Sequence, residues 1–175
     1  MSGITSTSTK ASRVLAGKYL TFKLQTEAYG IDVLQVREII RHTIVTSMPQ
    51  MPAHIRGVIN LRGKIIPVMD LRRRFGLPPI EDSEQTCIMV VHVKLTEQKT
   101  APIGLLVDGV EEVITLSTEE IEQPPSFGGQ TTTNYIIGIA KVKGQVKTLL
   151  DIDNIVRSDA VEIRRPGGPA LATVK

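Results

Sequence analysis

The sequence predicts a mainly β protein made of two small barrels related by internal duplication, with short helices between strands. Three observations lead there. Short Val/Ile/Leu-rich runs, punctuated by glycine, proline and polar residues, recur along most of the chain. Two sequence blocks occur twice, in the same order. Apolar residues are 41% and charged residues 22% of the 175, a globular balance in a chain long enough to bury a real core.

Seven of the first twelve residues are Ser or Thr, so residues 1–17 read as a flexible arm. Tyr19–Leu24 (YLTFKL) alternates and is aromatic and β-branched, as a half-buried strand requires. The runs Gly57–Leu61, Lys64–Asp70, Thr86–Val93, Ile103–Val107, Val110–Leu116 and Tyr135–Leu150 are strand-like and too punctuated for long helices. Arg62-Gly63 and Lys143-Gly144 separate paired apolar runs, where glycine supplies the positive φ of a tight hairpin. Pro67 cannot donate to a ladder, which predicts an edge strand or a bulge there. Asp70 is placed to cap Leu71–Phe75, with Gly76 ending that turn. Ser117 and Glu120 have capping-box spacing ahead of Ile121. The Pro166–Pro169 stretch continues neither helix nor strand, so residues 158–175 read as a flexible tail.

The duplication is specific. Ile55–Leu71 (IRGVINLRGKIIPVMDL) aligns without a gap onto Ile136–Ile152 (IIGIAKVKGQVKTLLDI) at an offset of 81. Ile55, Gly57, Gly63 and Asp70 recur as Ile136, Gly138, Gly144 and Asp151, and Arg62 becomes Lys143. Upstream, Gly30–Ile40 matches Gly104–Ile114 at an offset of 74. The halves fall near 18–83 and 84–157, with an exchange of strands between them left open. By the same equivalence Asp70 and Asp151 are matching caps, each worth about 1 kcal/mol.

Net charge is +3, but its distribution carries more information. Residues 18–83 hold ten basic and six acidic groups, and residues 84–158 hold six and ten. The body is therefore neutral and dipolar, which argues against uniform attraction to nucleic acid. Three Phe, three Tyr and no Trp leave few platforms for base stacking. No run of 18 apolar residues occurs and no secretory signal opens the chain, so a soluble protein that does not insert in a membrane is expected. The one cysteine, Cys87, excludes an internal disulfide and fits a reducing compartment.

Candidate chemistry is sparse. His42, His54 and His92 lack metal-site spacing, so no metal or cofactor is expected. Cys87 opens a strand and reads as a buried thiol. No nucleophile elbow or phosphate loop occurs, and no catalytic residue is assigned. Gly128-Gly129-Gln130 matches a tripeptide of peptidyl-tRNA hydrolysis, but in a Pro/Gly/Thr-rich stretch it reads as a connection. Arg72-Arg73-Arg74, flanked by Leu71, Phe75 and Leu77, reads as an amphipathic turn with a solvated basic side. A basic-patch RNA-binding β-barrel protein using those arginines and the basic N-terminal arm, with Lys10 and Arg13, is the alternative function.

His54–Phe75 (HIRGVINLRGKIIPVMDLRRRF), with Tyr29–Asp32, Val107–Val110 and Tyr135–Gly138 in order around it, resembles the CheW family of bacterial chemotaxis coupling proteins. The likeness covers about Lys18 to Arg157. It implies two intertwined SH3-like five-stranded β-barrels with a groove between them. It also implies a non-enzymatic, cytoplasmic scaffold recruited to membrane-associated receptor arrays. Its partners would be the cytoplasmic tips of chemoreceptors and the regulatory domain of the CheA histidine kinase. Positions matching the family's receptor-binding set are Val36, Glu38, Gly57, Arg62, Cys87 and Val113, and the PPSF segment puts Phe127 at a kinase-binding position. Each has a plainer role to set beside it: Arg62 as a solvated turn residue, Gly57 as backbone geometry, Val36 and Val113 as core.

Overall fold

The computed structural model describes residues 15–41, 43–78, 81–124 and 135–163. Eleven strands appear among them. β1 is Gly17–Leu24, β2 Glu27–Asp32, β3 Val36–Arg41, β4 Ile55–Leu61, β5 Lys64–Asp70 and β6 Cys87–Lys94. β7 is Thr100–Val107, β8 Gly109–Leu116, β9 Ile121–Glu122, β10 Ile136–Val142 and β11 Gln145–Leu150. Helix α1 is Leu71–Arg74 and α2 is Ile152–Ile163. Short 3-10 turns cover Val33–Gln35 and Thr118–Glu120.

Among the described residues the chain forms two compact units, one from residues 15–34 together with 110–124 and 135–151, the other from 35–41, 43–78 and 81–109 together with 152–163. The second unit holds a five-stranded sheet in the order β3-β6-β7-β5-β4. The first holds six strands in the order β8-β1-β2-β11-β10-β9, one more than the expected five because the two-residue β9 pairs with β10. Both are SH3-like in arrangement, and the chain is mainly β.

These sheets do not coincide with the sequence halves. β1 and β2 from the first half join β8, β10 and β11 from the second, while β6 and β7 join β3, β4 and β5. The duplication nevertheless reappears bond for bond. β5 pairs in parallel with β7 through Val68 and Gly104, and β11 with β2 through the matching Leu149 and Gly30. The N–H of Asp70 donates to the His54 carbonyl at 2.7 Å, and that of Asp151 to the Tyr135 carbonyl at 2.7 Å. Both hairpins shift register at the same place, between Ile55 and Gly57 and between Ile136 and Gly138.

Each unit has its own apolar centre. In the first, Leu15, Tyr19, Leu116, Ile121, Ala140 and Leu149 pack together, and the Tyr19 hydroxyl donates to the Leu15 carbonyl. Burial, with the nearby Asp32 charge, pushes the Tyr19 phenol up to about 12. In the second, Ile59, Ile66, Val68, Ile88, Val90 and Leu106 form the cluster. β6 lies between β3 and β7, and its run from Cys87 to Val91 is buried throughout.

Several expectations are corrected. Leu15, inside the expected arm, is part of the core, and β1 starts at Gly17. Helix α2 runs past 158 to Ile163, and Ile152, Ile155 and Val156 are buried at helical spacing. Pro67 is on an inner strand with no bulge at its position. Its partner Val58 uses both backbone groups on Thr46, at 2.9 Å each, so the Val58–Pro67 pair needs no donor from proline. The Ser117–Glu120 capping box, by contrast, is present as expected, with Glu120 accepting the Ser117 N–H at 2.8 Å on a 3-10 turn that leads into β9.

Candidate partner-binding site

The β4–β5 hairpin turns in two residues. Arg62 has φ 53° and Gly63 φ 85°, the positive pair of a type I′ turn, and the Gly63 N–H donates to Asn60 Oδ1 at 3.0 Å. A positive φ at arginine is disfavoured, yet it aims the side chain at β3. There Arg62 meets Glu38 in a two-pronged contact, Nη1 to Oε1 at 2.6 Å and Nη2 to Oε2 at 3.2 Å. β3 and β4 are the opposite edges of the five-stranded sheet, so this ion pair spans its two ends and shows the sheet curled on itself.

The first unit repeats the device. Lys143 has φ 54° and Gly144 φ 80° in the β10–β11 turn. Lys143 Nζ lies 3.8 Å from Glu112 Oε1 on the edge strand β8. Glu112 is the residue that the offset of 74 matches to Glu38. Exposed apolar side chains repeat as well: Ile39 matches Val113, and Ile65 matches Val146, all exposed.

Of the six candidate receptor-binding residues, Val36, Glu38, Gly57, Arg62 and Cys87 lie in the second unit and Val113 in the first. Val36 is half-buried on β3, and Val113 is 50% exposed, so core packing does not account for it. Arg62 is exposed and ion-paired. Gly57 is buried at φ 147°, and a Cβ there would come within 2.0 Å of the Thr46 carbonyl oxygen. Its requirement is therefore backbone geometry at the Thr46–Val58 bridge. Cys87 is buried at the start of β6, on the wall of a cavity of about 430 Å³. Phe127 and the Gly128–Gln130 tripeptide lie outside the described residues, as does His42.

The arginine run differs from its expected solvated face. Arg72 is 3% exposed and stands among three carboxylates. Its Nε and backbone N–H both donate to Asp70 Oδ1 at 3.0 Å, Nη1 to Asp108 at 2.8 Å and Nη2 to Asp82 at 3.2 Å. Arg56 Nη1 donates to Asp70 at 3.0 Å and its Nη2 to Asp82 at 3.3 Å. Burial of Asp70 pushes its carboxyl up, but the hydrogen bonds and charges of Arg72 and Arg56 outweigh this and hold it below the usual range. The same pairing raises the Arg72 guanidinium against the cost of its burial. Sequence reasoning missed this because Asp108 lies 36 residues away and nothing in the Arg72–Arg74 run announces it. Helix α1 ends on Gly76, φ 72°, with Leu77 N–H donating to Arg72 O at 2.9 Å and Gly76 N–H to Arg73 O at 3.0 Å.

Regrouped by unit, residues 18–34 with 110–151 hold five basic and eight acidic groups, and residues 35–109 with 152–157 hold eleven and eight. Charge therefore stays separated between the units. No group of His, Cys, Asp and Glu suited to a metal ion occurs among the described residues, and no described helix is long and apolar enough to cross a membrane.

A duplicated pair of SH3-like sheets, with every candidate receptor-binding residue but Cys87 on an edge strand or a hairpin turn, defines a double SH3-like β protein. The chain belongs to the CheW-like domain family, which matches residues 18–160. It is 33% identical over 163 residues to the chemotaxis protein CheW of Klebsiella aerogenes, covering 93% of this chain and 95% of that one. It is 31% identical to the CheW of Bacillus subtilis, covering 85% and 92%. The crystal structure of the scaffolding protein TtCheW from Thermoanaerobacter tengcongensis superposes with a TM-score of 0.70 at 36% identity, covering 81% of this chain and 92% of that one.

Proposed function

We propose that this protein is a non-enzymatic adaptor joining the cytoplasmic tips of methyl-accepting chemoreceptors to the regulatory domain of a CheA histidine kinase. It would work in the cytoplasm, at membrane-associated receptor arrays. The observation that carries this reading is the family match across residues 18–160, nearly the whole body of the chain. Glu38, Arg62 and Val113 are the receptor-binding residues best presented for contact, two as an exposed ion pair and one as an exposed apolar side chain. Val36 contributes from the same strand as Glu38. Gly57 and Cys87, both buried, act by holding β4 and β6 in shape. Phe127 is the kinase contact, an aromatic anchor in the PPSF segment.

The test is calorimetric titration of the full chain with the regulatory domain of its own organism's CheA-type kinase, beside a Phe127→Ala variant. Saturable binding at micromolar or tighter affinity, weakened in the variant, supports the adaptor and the contact together. Binding that the substitution leaves unchanged keeps the adaptor and moves the contact elsewhere. Absence of binding to both the kinase domain and a receptor-tip fragment removes the proposal. The RNA-binding alternative loses its main support, since Arg72 is buried and neutralised by aspartates.

A further inference from the structure

Asp82 stands apart from the other carboxylates around Arg72. Asp70 ends β5 and is buried, and Asp108 sits at the bend between β7 and β8 with its side chain 13% exposed. Asp82 is carried on the irregular segment ahead of β6 and is 49% exposed. Its contacts are also long, one oxygen 3.2 Å from Arg72 Nη2 and the other 3.3 Å from Arg56 Nη2. One carboxylate thus bridges two guanidinium groups. The segment's own hydrogen bonds include Thr86 N–H to the Ser83 carbonyl and Ser83 N–H to Thr86 Oγ1, both local.

Cavities lie on two sides of this bridge. One of about 290 Å³ is lined by Arg56, Arg72, Arg73 and Glu81. The other, of about 430 Å³, reaches Cys87. Arg56 and Asp82 line both, so their ion pair forms the partition.

We propose that Arg56 and Arg72 form a receiving site for an oxyanion, a carboxylate or phosphate group, whose resident occupant is the chain's own Asp82. Two guanidinium forks converging on one position suit such a group. Arg72 is held from behind by Asp70 and Asp108, so the site keeps its shape when Asp82 leaves. Arg73 Nε adds a third positive group 3.6 Å from Asp70. Three guanidinium groups then face two carboxylates, leaving one positive charge for an incoming anion. Glu81, also on the cavity wall, is carried on the same segment as Asp82. A tethered occupant competes at high effective concentration, so an external anion binds weakly until Asp82 is displaced or neutralised.

The experiment compares the full chain with an Asp82→Asn variant at constant ionic strength. One arm titrates inorganic phosphate, and the other a glutamate-rich peptide. Thermal melting reports binding, and the reaction rate of Cys87 with a small thiol reagent reports the partition, Cys87 being the single cysteine. The expected result is binding of at least one probe about tenfold or more tighter in Asp82→Asn than in the native chain. Cys87 reacts several-fold faster in the variant, and the bound probe slows it again. Adding Arg56→Lys to Asp82→Asn, which keeps the charge but loses the fork, reduces the gain. Phosphate alone binding identifies a free anion as the ligand, and the peptide alone a partner's acidic side chain. Equal responses of native chain and variant to both probes overturn the proposal.

Discussion

Arg62 and Glu38 clasp the two edges of one sheet, and Lys143 and Glu112 occupy the matching positions in the other. The first clasp is two-pronged at 2.6 and 3.2 Å, the second a single contact at 3.8 Å. The two halves keep the place of the pair, with a fork in one and a point charge in the other, and the point charge holds direction less firmly. Residues assigned to receptor binding are thus also residues that hold a barrel edge.

Arg62→Glu should leave stability within about 1 kcal/mol, because the pair is exposed. Receptor-tip binding should fall about tenfold or more. The reversed pair, Arg62→Glu with Glu38→Arg, should recover stability but not full binding if the partner reads Arg62 itself. Full recovery of binding would show that only the clasp matters.

Gly57→Ala and Gly138→Ala separate two kinds of glycine at equivalent positions. At Gly57 a Cβ meets backbone at 2.0 Å and φ is 147°, so a loss of about 3 kcal/mol or more is expected. At Gly138 the nearest obstacle is the Ile121 side chain at 2.4 Å, which can shift, for about 1–3 kcal/mol. Denaturant titration of both variants tests the order, and a reversed order refutes the argument.

Asp70→Ala and Asp151→Ala are no longer equivalent. Asp70 holds Arg72 and Arg56 as well as the N–H of Arg72, so its loss removes the carboxylate that binds two nitrogens of a buried guanidinium, leaving Asp108 and Asp82, at about 3–5 kcal/mol. Asp151 matches it in backbone bonding and is only partly buried, and about 1 kcal/mol is expected. Equal losses by thermal melting would show that Arg72 finds other partners.

The Asp70 carboxyl also sets an acid limit. Its value in the folded chain lies below the ordinary 3.8. Its stabilisation is therefore complete above about pH 4 and is lost as pH falls through the folded value. Melting temperature should drop steeply below pH 4 in the native chain and less steeply in Asp70→Ala. Parallel acid limbs would contradict the assignment.

Opposite net charge on the two units predicts charge-guided association with partners. Association rates with kinase domain and receptor tip should fall as salt rises from about 50 to about 500 mM. Rates indifferent to salt would argue against it.

Local chemistry in the sequence determined the strands of β-branched residues, the two hairpin turns at Arg62-Gly63 and Lys143-Gly144, the Asp70 cap and the duplication itself. Each depends on neighbours within a few residues, or on a comparison the chain makes with itself. Resemblance identified the family and the candidate positions, but not which of them face outward. Tertiary structure alone decided that β1 and β2 leave their own half to pair with β8 and β11. It likewise decided that Arg72 is buried against Asp108, that Arg62 and Glu38 meet across the ends of their sheet, and that Lys143 meets Glu112 on the edge strand β8. Ladder pairing and ion pairing depend on distance in space, and residues 24, 31 or 36 apart in sequence carry no local mark of having been brought together.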